Sequence, residues 1–271
     1  MLLRLIVGSL RYDGIARVPA GFQMHLDTTS RLEWKFLFGI NDRPEMRFLE
    51  RTLDANSVFL DIGAHIGFFS LFAAQVLRVK RVEAFEALPR NQALFEENRE
   101  LNRLENVVLH RCAISDHDGV IEFYVPIAEP SHGALFPGGE LGGRWHGAST
   151  KPIEAQVRSV DSVLGKHSSD VTAVKLDIEG FELEALRGMR ELLVASRPWV
   201  LVEVNRILLE LRGIDPRQIF DLMRDLGFDA YKLAGGTGDI KPVDLAELGP
   251  YDNVVFAHPT RVRELENVVR S

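Results

Sequence analysis

From Ser57 onward the chain alternates between two hydrophobic periods. "SVFLDIG" is a short apolar run that predicts a strand, and "IGFFSLFAAQVLR" carries apolar residues at helical spacing. "RVEAFEA" predicts the next strand, and "PRNQALFEENRELNRL" a helix opened by Pro89. "VVLHRCAIS" and "GVIEFYVP" read as strands, followed by a segment crowded with glycine and proline over residues 126–150. "VTAVKLDIEG", "FELEALRGMRELLVAS" and "PWVLVEVN" continue as strand, helix and strand, and "PRQIFDLMRDLGF" is a helix opened by Pro216. "DAYKLA" and "NVVFAHP" close the pattern as two strands with too short a connection for a crossover helix, which suits an antiparallel pair. Alternation of this kind predicts an α/β fold, doubly wound, with a largely parallel sheet and helices on both faces. Such sheets bind ligands beyond the carboxyl ends of their strands. The expected organisation is an N-terminal extension over 1–50 packing on a core domain over 51–259, the Gly-rich loop inside it, and a tail over 260–271. The loop reads as a lid or, alternatively, as an ordinary insertion.

Composition narrows the classes of partner. The 271 residues are 46% hydrophobic and 26% charged, as in ordinary globular proteins. The formal charge is −7, which argues against a nonspecific grip on nucleic acid. Cys112 is the single cysteine, so no intrachain disulfide forms, and a reducing, cytoplasmic location is expected. "MLLRLIVGSL" is apolar but too short to span a bilayer, and predicts a strand or docking arm. No transmembrane segment is expected.

The first strand-to-helix turn reads Asp61-Ile62-Gly63-Ala64-His65-Ile66-Gly67. A dinucleotide fingerprint wants glycine where His65 stands, and the carboxylate of Asp61 would repel a pyrophosphate. No G-K-[ST] follows, so a phosphate-binding P-loop is not present either. S-adenosylmethionine, with its sulfonium and ammonium, fits an acidic turn better, and the glycines would let backbone approach it. Glu86, some 25 residues after Asp61, is placed to accept hydrogen bonds from both ribose hydroxyls. Glu83 is a competitor earlier in the same strand.

The stretches "FLDIGAHIGFFSLFAA", "VEAFEALPRNQALFEENRELN", "CAISDHDG" and "VKLDIEGFELEALRGMRELL" resemble the FkbM-type methyltransferases, as do "VLVEVN" and "NVVFAHP". The resemblance covers about residues 36 to 257. It implies the class I methyltransferase, Rossmann-like fold, with a seven-stranded sheet containing one antiparallel strand, and S-adenosyl-L-methionine as cofactor. It implies cofactor contacts at Asp61, Gly63, Ala64 and Gly67, ribose binding at Glu86, and Ala113 and Ser115 bordering the adenine. Glu45 would reach the cofactor from upstream of the first strand. Acceptors implied by the family are hydroxyls of sugars, glycolipids or secondary metabolites, that is, a small-molecule or glycan partner.

The motif K-x-D-x-E-G-x-E at 175–182 holds the candidate catalytic groups. Lys175, Asp177 and Glu179 share one strand face if the strand continues that far. Charges there are costly unless paired or used. Glu203 and Asn205 repeat the pattern on the next strand. Two mechanisms stay open. In one, Asp177 or Glu179 takes a proton from an acceptor hydroxyl or orients it. In the other, Asp177, Glu179 and Glu203 hold Mg²⁺, which lowers the acceptor's pKa; the metal-free route is preferred. His132, Trp145 and His146, in the Gly-rich loop, are candidate acceptor contacts. "EENRE" reads as a solvated helix face. The alternatives are an NAD(P)-dependent oxidoreductase and a cofactor-binding protein without catalysis.

Overall fold

The central strands of the main sheet are short apolar runs, buried along nearly their whole length. The computed structural model describes residues 12–28, 30–39, 43–126, 149–234 and 236–270. The first elements are a hairpin of β1 (Asp13–Arg17) and β2 (Gln23–Asp27), then helices α1 (Arg31–Phe38) and α2 (Arg43–Thr52). The alternating core follows: β3 (Val58–Ile62), α3 (Phe68–Leu71), β4 (Arg81–Phe85), α4 (Pro89–Leu101) and β5 (Val107–His110). α3 widens into a π-helical turn over Phe72–Val76. Next come β6 (Ala113–Ile114), β7 (Gly119–Pro126), β8 (Thr150–Arg158), α5 (Val160–Leu164) and β9 (Val171–Leu176). The chain continues with α6 (Glu182–Arg187), α7 (Arg190–Ser196), β10 (Trp199–Asn205), α8 (Arg206–Leu211) and α9 (Arg217–Asp225). It closes with β11 (Asp229–Ala234), β12 (Asp239–Pro242), β13 (Tyr251–Ala257) and α10 (Pro259–Arg270).

The main sheet runs in the order β12-β11-β13-β10-β9-β3-β4-β5. From β5 to β10 all pairings are parallel, and β13 runs against both of its neighbours. The seven expected strands are therefore β5, β4, β3, β9, β10, β13 and β11. An eighth, β12, adds an antiparallel edge beyond β11. Its sequence "DIKP" is almost wholly exposed, so no apolar run marks it.

Other boundaries differ from the sequence reading for local reasons. "VVLHRCAIS" is not one strand: β5 stops at His110, and β6 joins a separate sheet of order β6-β8-β7. β8 carries its signal as alternating Ile153, Ala155 and Val157. "FELEALRGMRELLVAS" forms two helices. Asp161 explains the restart, because its carboxylate accepts from the backbone N–H of Glu191 and Leu192 at 2.9 and 3.0 Å, at the start of α7.

The N-terminal elements lie against the core rather than apart from it. Phe36 stacks on Phe68 with centroids 4.3 Å apart, and Phe48 meets Trp199 edge-on at 5.4 Å. α4 holds the open edge of β2 with asparagines one turn apart. Asn98 Oδ1 accepts from His25 N at 2.6 Å, and Asn102 exchanges bonds with both backbone groups of Gln23. The "EENRE" run is thus an interface, not a solvated face. Glu97 meets His25 Nδ1 at 2.8 Å, and Asn98 is fully buried.

His25 also contacts Asp13 through Nε2 at 2.8 Å. The hydrogen bond to Asp13, with Glu97 adding to it, raises the His25 pKa above 6.5. A group whose folded pKa is raised stabilises fully below its unfolded value and loses that contribution as pH rises through the folded value. Wild type should therefore exceed His25→Gln in stability at pH 6. The gap should close as the pH is raised to 8. The pair is partly exposed, so the difference is about 1 kcal/mol or less. Paired thermal melts at both pH values check this, and a gap that widens with pH would refute it.

Strand register decides what faces what. Phe85, Ile62, Leu176, Val202 and Val254 lie in one row across five strands. All five belong to one apolar cluster, on the face covered by α5 to α9. One residue further along, the row becomes Glu86, Gly63, Asp177, Glu203 and Asn253, and side chains switch to the other face. Asp61 and Lys175 are register partners on that same face. The carboxyl end of the sheet thus gathers its polar groups on the side where α2, α3 and α4 pack.

Candidate functional site

The turn after β3 is held by backbone bonds and one buried carboxylate. Gly63 N and Ala64 N both donate to the carbonyl of Phe85 at 3.0 Å. Gly63 has φ +82°, and a Cβ there would stand 1.9 Å from the carbonyl oxygen of Asp177. The glycine is needed so that the segment following β9 can close on the turn, a role the sequence reading had given to ligand approach. At Gly67, with φ +95°, a Cβ would crowd Phe95 and Leu71 at 2.9 Å. Here too protein, not ligand, fills the space.

Asp61 is buried at the end of β3 and accepts from Ser70 Oγ at 2.6 Å through Oδ2. Its Oδ1 is buried without a hydrogen-bond partner. Burial raises its pKa, and the nearby Lys175 charge opposes the rise. Glu86 is also buried. It accepts from His65 N and Leu88 N, each at 2.8 Å, so it ties the turn after β3 to the start of α4. Burial pushes its pKa up to about 7. The competitor Glu83 is excluded by register. It pairs with Leu60 in the row that faces the other apolar cluster, and it meets His110 Nε2 at 2.7 Å. Ala113 packs in a small cluster with Ala87, which brings β6 beside the segment that follows Glu86. Ser115 is buried at the end of β6, its N–H donating to the carbonyl of Arg158 at 3.0 Å.

At the end of β9, the Lys175 ammonium donates to Asp177 Oδ2 at 2.8 Å and lies 4.8 Å from the Phe69 ring centroid. Burial would raise the Asp177 pKa. The charge and hydrogen bond of Lys175, with a bond from Glu203, outweigh it and hold Asp177 below the usual carboxylate value. The Asp177 side chain is 36% exposed, so water moderates both effects. The charge of Asp177, and after it burial, drives Glu203 in the opposite direction, well above an ordinary glutamate. The two carboxyls interact directly, and their shifts run in opposite directions, Asp177 down and Glu203 up.

β9 ends at Leu176, so strict alternation does not reach Glu179. Glu179 sits in the left-handed region with φ +53°. The expected single strand face of Lys175, Asp177 and Glu179 is therefore corrected: a turn, not the strand, carries Glu179. Glu179 still acts electrostatically on Glu203 and Glu182. Asn205 is committed elsewhere, capping α8 by accepting from Leu208 N at 3.1 Å. Glu45, at the start of α2, accepts from Asn253 Nδ2 at 2.5 Å. Since Asn253 is the register partner of Glu203, Glu45 reaches the Glu203 side of the sheet. His132, Trp145 and His146 lie outside the described residues.

Among the described residues, no group of three or more His, Cys, Asp or Glu is arranged to hold a metal ion. For the Mg²⁺ set of Asp177, Glu179 and Glu203 the chemistry explains this. Lys175 already pairs with Asp177, and the raised pKa of Glu203 disfavours the ionised form a metal ligand needs. Cys112 is buried and its thiol is pushed up to about 11 by that burial, so it is an inert packing group. A cavity of about 1090 Å³ lies among α8, α9 and β11 and is lined by residues such as Phe220 and Asp244; it touches none of the groups above.

A family model described as the methyltransferase FkbM domain matches residues 61–230, from Asp61 through Glu86 and Asp177 to Glu203 and beyond. The chain belongs to the FkbM methyltransferase family. Methyltransferase sdnD of Sordaria araneosa is 28% identical over 205 residues, covering 65% of this chain and 75% of that protein. Methyltransferase 1 of Beauveria bassiana is 22% identical over 185 residues, covering 62% and 72%. A solved structure of methyltransferase FkbM from Methylobacillus flagellatus KT is 17% identical with a TM-score of 0.45. That match covers 82% of this chain but 46% of the other. In this FkbM methyltransferase, no helix among the described residues is long and apolar enough to cross a membrane.

Two residues of the site escaped the sequence reading. Asn253 stands in the final strand run, and only register brings it beside Glu203. Glu182 closes the K-x-D-x-E-G-x-E motif, and its spacing from Gly180 was the available signal. Its Oε1 accepts from Gly180 N at 2.9 Å.

Proposed function

We propose that this methyltransferase transfers a methyl group from S-adenosylmethionine to a hydroxyl oxygen of a sugar, glycolipid or secondary metabolite. The observation that carries this reading is Asp177, which accepts from Lys175 at 2.8 Å and is held below the usual carboxylate pKa beside Glu203, on the row that also contains Glu86. The residues present fit the cofactor, since the partnerless Oδ1 of Asp61 is an acceptor suited to an ammonium group or its water. Glu86 would hold the ribose hydroxyls, Ala113 and Ser115 would border the adenine, and Gly63, Ala64 and Gly67 would shape the turn beneath it. When bound, S-adenosylmethionine supplies a methyl group activated by its sulfonium. Asp177 accepts the acceptor hydroxyl's proton through its free carboxylate lone pairs, and Glu179 orients that hydroxyl. Lys175 keeps Asp177 ionised and in place. Proximity and alignment provide much of the remaining acceleration.

Calorimetry with S-adenosylmethionine, NAD and NADP tests the cofactor. Micromolar binding of the first, without the other two, is expected. Turnover to S-adenosylhomocysteine with a panel of methyl glycosides and polyols tests the reaction. Binding of NADP with none of S-adenosylmethionine would overturn the reading, and cofactor binding without turnover of any hydroxyl compound would leave a binding protein.

A further inference from the structure

The segment between β9 and α6 adopts an unusual path for its sequence. Glu179 and Gly180 are consecutive left-handed residues, with φ +53° and +99°. For a residue with a Cβ this conformation costs about 1–2 kcal/mol, and it persists only where the surroundings hold it. Two groups hold it, from opposite sides. From the inside, Glu182 is fully buried, and its Oε1 accepts from Gly180 N at 2.9 Å and from Ile178 N at 3.4 Å. Those two amides flank Glu179. From the other side, Arg212 Nη1 donates to the carbonyl of Gly180. The same guanidinium lies 3.4 Å from the Phe181 ring centroid and pairs with Glu184 at 2.6 Å.

Burying a carboxyl to accept two backbone bonds is costly, and Glu182 Oε2 is buried with no partner at all. A stabilised turn alone does not require a glutamate there. We infer that Glu182, seconded by Arg212, is a positioning residue for methyl transfer: it clamps residues 178–180 and so fixes where Glu179 meets the acceptor. This inference rests on the orienting role given above to Glu179. Glu182 touches neither acceptor nor cofactor. Burial keeps its carboxyl neutral up to about pH 8, so its brace acts without adding a charge beside Asp177 and Glu203. Glutamine, equally neutral and keeping an acceptor oxygen, should replace it.

The full chain tests this with Glu182→Gln, Glu182→Met and Arg212→Ala, each also in a Glu179→Ala background. The readouts are amide hydrogen exchange of residues 178–180, affinity for S-adenosylhomocysteine, and kcat and KM with a methyl glycoside that is turned over. Glu182→Met, which conserves volume but accepts no bond, should speed exchange at Ile178 and Gly180 at least about tenfold. It should lower kcat roughly 10- to 100-fold, the scale of misplacing one catalytic group. KM and S-adenosylhomocysteine affinity should stay within about threefold. Glu182→Gln should restore kcat, Arg212→Ala should reproduce a part of the loss, and neither change should add to Glu179→Ala.

Wild-type exchange and kcat in Glu182→Met would overturn the inference. So would an equal loss in the Glu179→Ala background, or cofactor affinity falling in parallel with kcat. If Glu182→Met does not fold, Arg212→Ala decides by the same readouts. A fully active Glu179→Ala would instead remove the orienting role of Glu179, whereas an inactive Glu179→Ala beside an active Glu182→Met sinks the brace alone.

Discussion

Asp177→Asn is expected to lower kcat about 100- to 1000-fold while leaving S-adenosylmethionine affinity within about threefold. Asparagine keeps the size and one acceptor oxygen, so Lys175 retains a partner. What is lost is the site that takes the hydroxyl proton, and a positioned general base contributes about 10²–10⁴-fold. Asp177 is the group to lose, because Lys175 donates to it at 2.8 Å and holds its pKa down while the pKa of Glu203 is raised. The substitution should also change its neighbour. The Asp177 charge is the first cause of the raised Glu203 pKa, so in the variant Glu203 should ionise at lower pH. Single-turnover rates with a methyl glycoside over pH 5 to 9 check both effects. A variant that retains wild-type kcat would remove Asp177 from the base role, and carboxylate NMR showing no downward movement of Glu203 would deny the coupling.

Glu86→Ala is expected to weaken S-adenosylmethionine binding at least about 100-fold and to destabilise the fold by about 2–4 kcal/mol. Both effects come from the same carboxylate. Its two oxygens satisfy the N–H groups of His65 and Leu88, and a buried donor left unpaired costs about 1–3 kcal/mol. Two ribose hydroxyls donating to an ionised carboxylate account for the affinity loss, at about 1.5–3 kcal/mol each. The pH dependence follows from the sign of the shift. The folded pKa, about 7, lies above the ordinary glutamate value of 4.5, so Glu86 is largely protonated below neutrality in the free protein. Accepting both hydroxyls favours the ionised form. Affinity should therefore rise with pH up to about 7 and then level, with a proton released on binding near pH 6. Calorimetry in two buffers of different ionisation enthalpy measures that proton. Equal apparent enthalpies in both buffers, or undiminished affinity in Glu86→Ala, would take the ribose role from Glu86.

Much of this was legible in the linear order of residues. The two periods fixed which segments are strands and which are helices, because the β3, β4, β9 and β10 runs are buried along nearly their whole length. Asp61 and Glu86 could be named as partners of one ligand because parallel strands connected by helices must end on the same side. The edge strand β12 and the strand β8 were harder to read. The described side chains of these two strands are largely exposed, and exposed strands leave little apolar signal.

The sequence by itself determined the strand and helix alternation, the acidic turn at Asp61 and the carboxylates Asp177, Glu179 and Glu203 near the ends of two strands. Hydrophobic period and residue type act locally, and local order preserves them. Only the tertiary structure decided that Glu179 leaves the strand for a left-handed turn and that Glu182 and Arg212 hold it from two sides. It alone decided that Glu86, and not Glu83, lies on the face that holds Asp61 and Asp177, brought Asn253 beside Glu203, and clamped His25 between two carboxylates. Those outcomes depend on strand register and on where distant segments pack, and neither is written in the spacing of neighbouring residues.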